Sequence, residues 1–133
     1  MKVKKFDLIG LFVADLSRMV HFYKEIIGID IEWDGNGPYA EFRHKGIRFA
    51  MFSRKELPGL LGQKPAFPEG INGSFELAIN VGEPVNVDET YDRLISAGVE
   101  SIYPPRNEPW KMRSAMVVDP EGNLIEIGSD FWE

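Results

Sequence analysis

The chain has 133 residues, enough for one ordinary domain, and its 44% hydrophobic and 27% charged content suits a globular protein with a real core. A formal net charge of −6 disfavours nucleic acid and anionic membrane surfaces, since both select basic faces. The absence of cysteine excludes disulfides, thiolate nucleophiles and cysteine-rich zinc sites.

Met1 to Lys5 is charged and runs into a strand-like segment, without the long apolar stretch of a signal peptide. No segment reaches the ~20 apolar residues of a spanning helix, so a cytoplasmic location is expected. Phe6 to Val13 predicts a strand. Asp15 sits where an N-cap belongs. Leu16, Met19, Val20, Tyr23, Ile26 and Ile27 then recur at helical spacing, and Gly28 closes the helix. Three strand-like runs follow, Ile29 to Trp33, Tyr39 to His44 and Ile47 to Ser53, separated by glycine-bearing turns. Lys55 to Gly73, with Pro58, Pro65 and Pro68, reads as a linker or lid without elements of its own.

The order then repeats. Phe75 to Val81 predicts a strand, Asp88 an N-cap, and Tyr91, Leu94 and Ile95 the apolar side of a helix closed by Gly98. Strands follow near Ser101 to Tyr103, Arg113 to Val118 and Leu124 to Ile127. Val81 lies 68 residues after Val13, and Gly98 lies 70 after Gly28. The chain therefore reads as two βαβββ modules within a single domain over 1–133: module 1 at about 5–54, a linker at about 55–73, and module 2 at about 74–131.

Two stretches carry a family resemblance. Val13-Ala14-Asp15-Leu16, followed by His21-Phe22-Tyr23-Lys24 and Gly28, resembles the first strand-to-helix signature of the vicinal-oxygen-chelate superfamily, the glyoxalase, bleomycin-resistance and extradiol dioxygenase family. Trp110-Lys111-Met112-Arg113, leading to Asp119-Pro120-Glu121-Gly122-Asn123-Leu124-Ile125-Glu126, is similar to the family's C-terminal run. The resemblance implies an α+β fold in which two βαβββ modules pair into an open, cleft-forming mixed β barrel with helices outside. It also implies a homodimer.

Metal-dependent members of that family place His, Glu or Gln on the first and last strand of each module. These ligands hold a divalent ion that polarises a substrate oxygen. Carried onto this chain, the positions fall on Leu8, Ala50, Glu76 and Glu126. Leucine and alanine cannot bind a metal, and a register error of one at Ala50 gives only Phe49 or Met51. Glu76 and Glu126 survive as candidate catalytic or metal-binding carboxylates. Strand alternation turns Glu76, Ala78 and Asn80 away from Phe75, Leu77, Ile79 and Val81. Three readings of the pair stand open: a hydrated metal site, a pole for a cationic or hydroxyl-bearing ligand or an acid/base pair, and a structural ion pair with Arg113 or Arg48.

Trp33, Phe52, Tyr103 and Trp110, with Asn80 and Arg113, are the candidate ligand-binding residues. Aromatic rings there could stack a flat molecule, although any one of them could equally be core. His21 and His44, the only histidines, fall on no ligand position. The leading expectation is a small-molecule-binding, bleomycin-resistance-like protein without a full metal site and without a cofactor. The alternative is a lactoylglutathione-lyase-like lyase or isomerase using Ni, Zn, Mn or Fe through Glu76 and Glu126. An extradiol dioxygenase fits less well, because its iron wants two histidines and a carboxylate.

Overall fold

The computed structural model describes residues 1–133. They divide into two compact units, Met1–Phe67 and Pro68–Glu133.

The first unit runs β1 (Leu8–Val13), α1 (Leu16–His21), β2 (Ile31–Glu32), β3 (Tyr39–Phe42), β4 (Arg48–Ser53) and α2 (Leu57–Leu61). The Asp15 carboxylate accepts the Arg18 N–H at 3.1 Å, satisfying one of the orphan donors of the first helical turn. Past His21 the helix widens to a π-type turn over Phe22–Ile27, and Gly28 ends it at φ 95°. Leu16, Met19, Val20, Phe22, Tyr23 and Ile27 are buried, so the apolar stripe faces the core. The sheet has the order β1-β4-β3-β2, with β1 parallel to β4 and the other pairs antiparallel.

The second unit repeats the plan: β5 (Asn72–Asn80), α3 (Pro84–Ser96), β6 (Glu100–Glu108), β7 (Met112–Val118) and β8 (Asn123–Gly128). Its sheet has the order β5-β8-β7-β6, again with the first and last strands parallel. Helix α3 packs on β6, β7 and β8. Val87 and Leu94 of α3 are fully buried, as are Ala115, Val117, Ile125 and Ile127. The fold is thus α+β, built of two βαβββ units whose four-stranded mixed sheets do not close on themselves.

Several boundaries differ from the sequence reading. Lys55 to Gly73 is not free of elements: a 3-10 turn at Arg54–Glu56 leads into α2. The Ser53 side chain accepts the Lys55 N–H, Pro58 stands in the first turn, and Leu57 is buried. Helix α3 starts at Pro84 instead of after Asp88, because proline is preorganised for the first helical position. Strand β6 runs through Pro104 and Pro105 to Glu108, which an edge strand tolerates because one row of its N–H groups needs no partner. Its pairing with β7 slips twice, between Ser101 and Tyr103 and again before Arg106.

The C-terminal Asp-Pro-Glu-Gly-Asn run is a structural lock. Asp119 Oδ1 accepts the N–H groups of Glu121 and Asn123, and its Oδ2 accepts the Asn123 side-chain amide. Gly122 adopts φ 88°, and the Gly70 carbonyl oxygen occupies the space a Cβ would need. The Gly122 carbonyl in turn accepts the Asn72 N–H at 2.7 Å, which ties the β7–β8 turn to the start of β5. No helix in the chain is long and apolar enough to cross a membrane.

Candidate functional site

The register of the second sheet places the two surviving carboxylates together. Ala78 pairs with Glu126 and Glu76 with Leu124, so Glu76 and Glu126 are diagonal neighbours on adjacent strands. They share the face opposite Leu77, Ile79, Ile125 and Ile127, which lie on the α3 side. Across the sheet Met116 pairs with Glu126 and Tyr103 with Met116. One row further on, Ser114 pairs with Gly128 and Arg106 with Ser114. Four strands therefore present Glu76, Glu126, Ser114, Met116, Tyr103 and Arg106 on one face.

A hydrogen-bonded network occupies the β6–β7 side of that face. Ser114 donates to Glu108 Oε1 at 2.8 Å, and Arg106 Nε donates to the same oxygen at 2.7 Å. The Tyr103 and Ser114 hydroxyls lie 3.0 Å apart, and the Arg106 guanidinium stacks 3.6 Å over the Tyr103 ring. Glu108 is only 8% exposed, and the Arg106 and Ser114 donors hold its carboxyl below the usual range. Glu126 moves the other way. Burial, followed by the charges of Glu76 and Glu108, pushes its carboxyl above the ordinary value. Glu126 is thus the carboxyl on this face most easily kept neutral, able to donate a hydrogen bond when protonated and to accept one when ionised.

The first unit carries the same diagonal without its chemistry. Gly10 pairs with Ala50, and Leu8 precedes Gly10 by two residues, as Glu76 precedes Ala78, the partner of Glu126. Leu8 and Ala50 are therefore the structural counterparts of Glu76 and Glu126 by strand register, independent of any motif. No group of three or more His, Cys, Asp or Glu side chains comes together as a metal cage. The residues present do not fit the divalent centre that the family implies.

The remaining candidates distribute unevenly. Tyr103 lies on the face of Glu126, as described. Asn80 shares that face but is used locally, donating to Asp130 at 2.9 Å and accepting the Gly82 N–H. Arg113 alternates to the α3 side, where its Nε and Nη2 grip Asp88 at 2.7 and 2.8 Å and its Nη1 reaches Asn107. Trp110 is exposed in the β6–β7 turn. In the first unit, Arg48 is engaged by Glu41 and Asp7. Phe52 makes edge contacts with Phe12 and Tyr39 on the face of Leu8 and Ala50. The Trp33 indole donates to the Gly37 carbonyl at 2.8 Å and lines a concavity of about 580 Å3 with Asp15, Ser17, Pro38 and Lys55. His21 and His44 are exposed.

Arg106, Glu108 and Ser114 were missed from sequence. For Arg106 and Glu108 the signal was hidden because Pro104, Pro105 and the two register slips break the alternation along β6.

Comparison with known proteins supplies the family. Residues 5–127 match the model described as the Glyoxalase/Bleomycin resistance protein/Dioxygenase superfamily. The chain is 34% identical over 122 residues to the Uncharacterized protein YraH of Bacillus subtilis (strain 168), covering 90% of this chain and 93% of that protein. Among solved structures it resembles a glyoxalase-related enzyme from Fulvimarina pelagi, at TM-score 0.79 and 26% identity, over 96% of this chain and 89% of that one. It shares its fold with a lactoylglutathione lyase from Agrobacterium tumefaciens, at TM-score 0.72 and 18% identity, over 97% and 96% of the two chains.

Proposed function

We propose that this chain, which belongs to the Glyoxalase/Bleomycin resistance protein/Dioxygenase superfamily, binds a small cationic or hydroxyl-bearing molecule through Glu76 and Glu126, without a complete metal centre. One observation carries the reading: two carboxylates share one face of the second sheet, while hydrocarbon stands at both register-matched positions of the first. The half-buried Glu126 calls for a partner, because burial and the nearby charges of the exposed Glu76 and of Glu108 disfavour its ionised form. A cation meeting Glu126 offsets both the burial and the repulsion from Glu76. A hydroxyl can instead accept a hydrogen bond from the neutral Glu126. Tyr103 on the same face offers aromatic surface for a planar ligand.

A divalent-metal lyase or isomerase of the lactoylglutathione-lyase kind is the competing reading. It needs at least one ligand beyond the carboxylate pair, and the matched positions provide none. An extradiol dioxygenase would need two histidines there. We also propose a homodimer in the cytoplasm. β1 is an edge strand with Ile9 and Phe12 exposed, a surface that another chain can cover.

Calorimetry separates the two readings. Cationic aromatic amines should bind wild type and lose at least about tenfold in affinity in Glu126→Gln and in Glu76→Gln, as expected when a charge-assisted contact is removed. Stoichiometric uptake of Ni, Zn or Mn that disappears in Glu126→Gln overturns the metal-independent reading. Sedimentation at micromolar concentration tests the dimer.

A further inference from the structure

The second unit's face is not uniformly acidic. Arg106 stands on it two strands away from Glu126 and one row along. With strands ~4.8 Å apart and ~3.3 Å per residue, the two backbones lie on the order of 12 Å from each other. That span suits one small molecule whose charged ends reach opposite sides of the face.

Arg106 is unusually well held for a half-exposed arginine. Its Nε is fixed on Glu108 Oε1 at 2.7 Å, and Glu108 is itself anchored by the buried Ser114 hydroxyl. The central carbon of the guanidinium lies 3.6 Å over the Tyr103 ring centroid, and the Tyr103 hydroxyl meets Ser114. Ring contact and anchor together restrain the position of the group. A guanidinium carries five N–H donors, and the bond to Glu108 uses only the one on Nε. The side chain is 55% exposed, so the guanidinium is held by Glu108 and Tyr103 yet open to solvent. An immobilised fork of this kind binds a planar oxyanion with two parallel hydrogen bonds, the ordering of the side chain being already complete. Glu76, Glu108 and Glu126 nearby disfavour a dianion, which selects a carboxylate over a phosphate.

We propose that the molecule recognised on this face is a zwitterion whose carboxylate is bound end-on by the Nη edge of Arg106. Its cationic end meets Glu76 and Glu126, and this half rests on the function proposed above. Arg106 is thereby a specificity residue, with Glu108, Ser114 and Tyr103 as its positioning residues.

Matched probes test the two halves separately by calorimetry on the full chain: benzylamine, benzoate and 4-(aminomethyl)benzoate. In wild type, 4-(aminomethyl)benzoate should bind at least about tenfold tighter than benzylamine, the worth of one charge-assisted bidentate contact. Arg106→Gln should abolish that gap and leave benzylamine within about twofold. Arg106→Lys keeps the charge but lacks the fork, and should lose most of the gap. Benzylamine binding that survives Arg106→Gln shows the variant to be folded, a result that separates recognition from loss of folding. Equal affinity for the two amines, a gap that survives Arg106→Gln, or no binding of any probe at ~10 mM overturns the proposal. A gap that depends on Arg106 but ignores Glu76→Gln and Glu126→Gln keeps the carboxylate site and sinks the acidic pole. The reverse pattern does the opposite.

Discussion

Truncating Ile127 to alanine tests the strand register on which the carboxylate face depends. Ile127 is fully buried on the α3 side, pairs with Ile79 and Ala115, and neighbours Glu126 in sequence. If β8 were shifted by one residue, Ile127 would turn outward and Glu126 would enter the helix-covered layer. The substitution removes three carbons from a fully buried site. At ~0.8 kcal/mol each, the transfer loss is about 2.4 kcal/mol. The cavity left behind raises the total to about 3–4 kcal/mol. For 133 residues the unfolding entropy is about 0.28 kcal/mol/K, so the melting temperature should fall by about 12 °C. Urea titration followed by far-UV circular dichroism and tryptophan fluorescence measures the loss directly. Leu124→Ala is the control, because Leu124 is half-buried on the carboxylate face, and it should lose less than about 1.5 kcal/mol. An Ile127→Ala loss below about 1 kcal/mol, with Leu124→Ala the more damaging, would refute the face assignment and the site built on it.

Glu126 also predicts an unusual dependence of stability on pH. Its folded carboxyl lies above the ordinary 4.5, so between 4.5 and the raised value the folded state binds more protons than the unfolded. Through that window the contribution of Glu126 to stability declines as pH rises, and above it the destabilisation is complete. Glu126→Gln should therefore be more stable than wild type at pH 7, with the difference closing towards pH 4 in paired thermal melts; a variant less stable at pH 7 contradicts this. A glycine pair separates backbone conformation from close approach. Gly98→Ala meets only the left-handed backbone penalty of about 1–2 kcal/mol, since nothing lies within 4 Å of its Cβ direction. Gly122→Ala meets that penalty plus the Gly70 carbonyl, and should lose clearly more in the same urea titration. Equal losses would mean that the tie between the β7–β8 turn and β5 does not constrain the fold.

What the amino-acid order determined by itself was local. Asp15 as a cap, Gly28 as a helix stop, the buried stripe of α1 and the alternation of β5 and β8 all follow from interactions within a few residues, where helical and strand periods are strong. The repeat of the βαβββ plan was legible for the same reason, and so was the placing of Glu76 and Glu126 on the face away from Leu77 and Ile127. Only the tertiary structure decided what surrounds them. Arg113 went to Asp88 on α3, and Glu108 came onto the carboxylate face with Ser114 and Arg106. Asp88 and Arg113 are 25 residues apart, and Glu108 reaches Ser114 across a slipped ladder. Pairings of that kind depend on strand register and on how a helix is laid over a sheet, which no local period encodes.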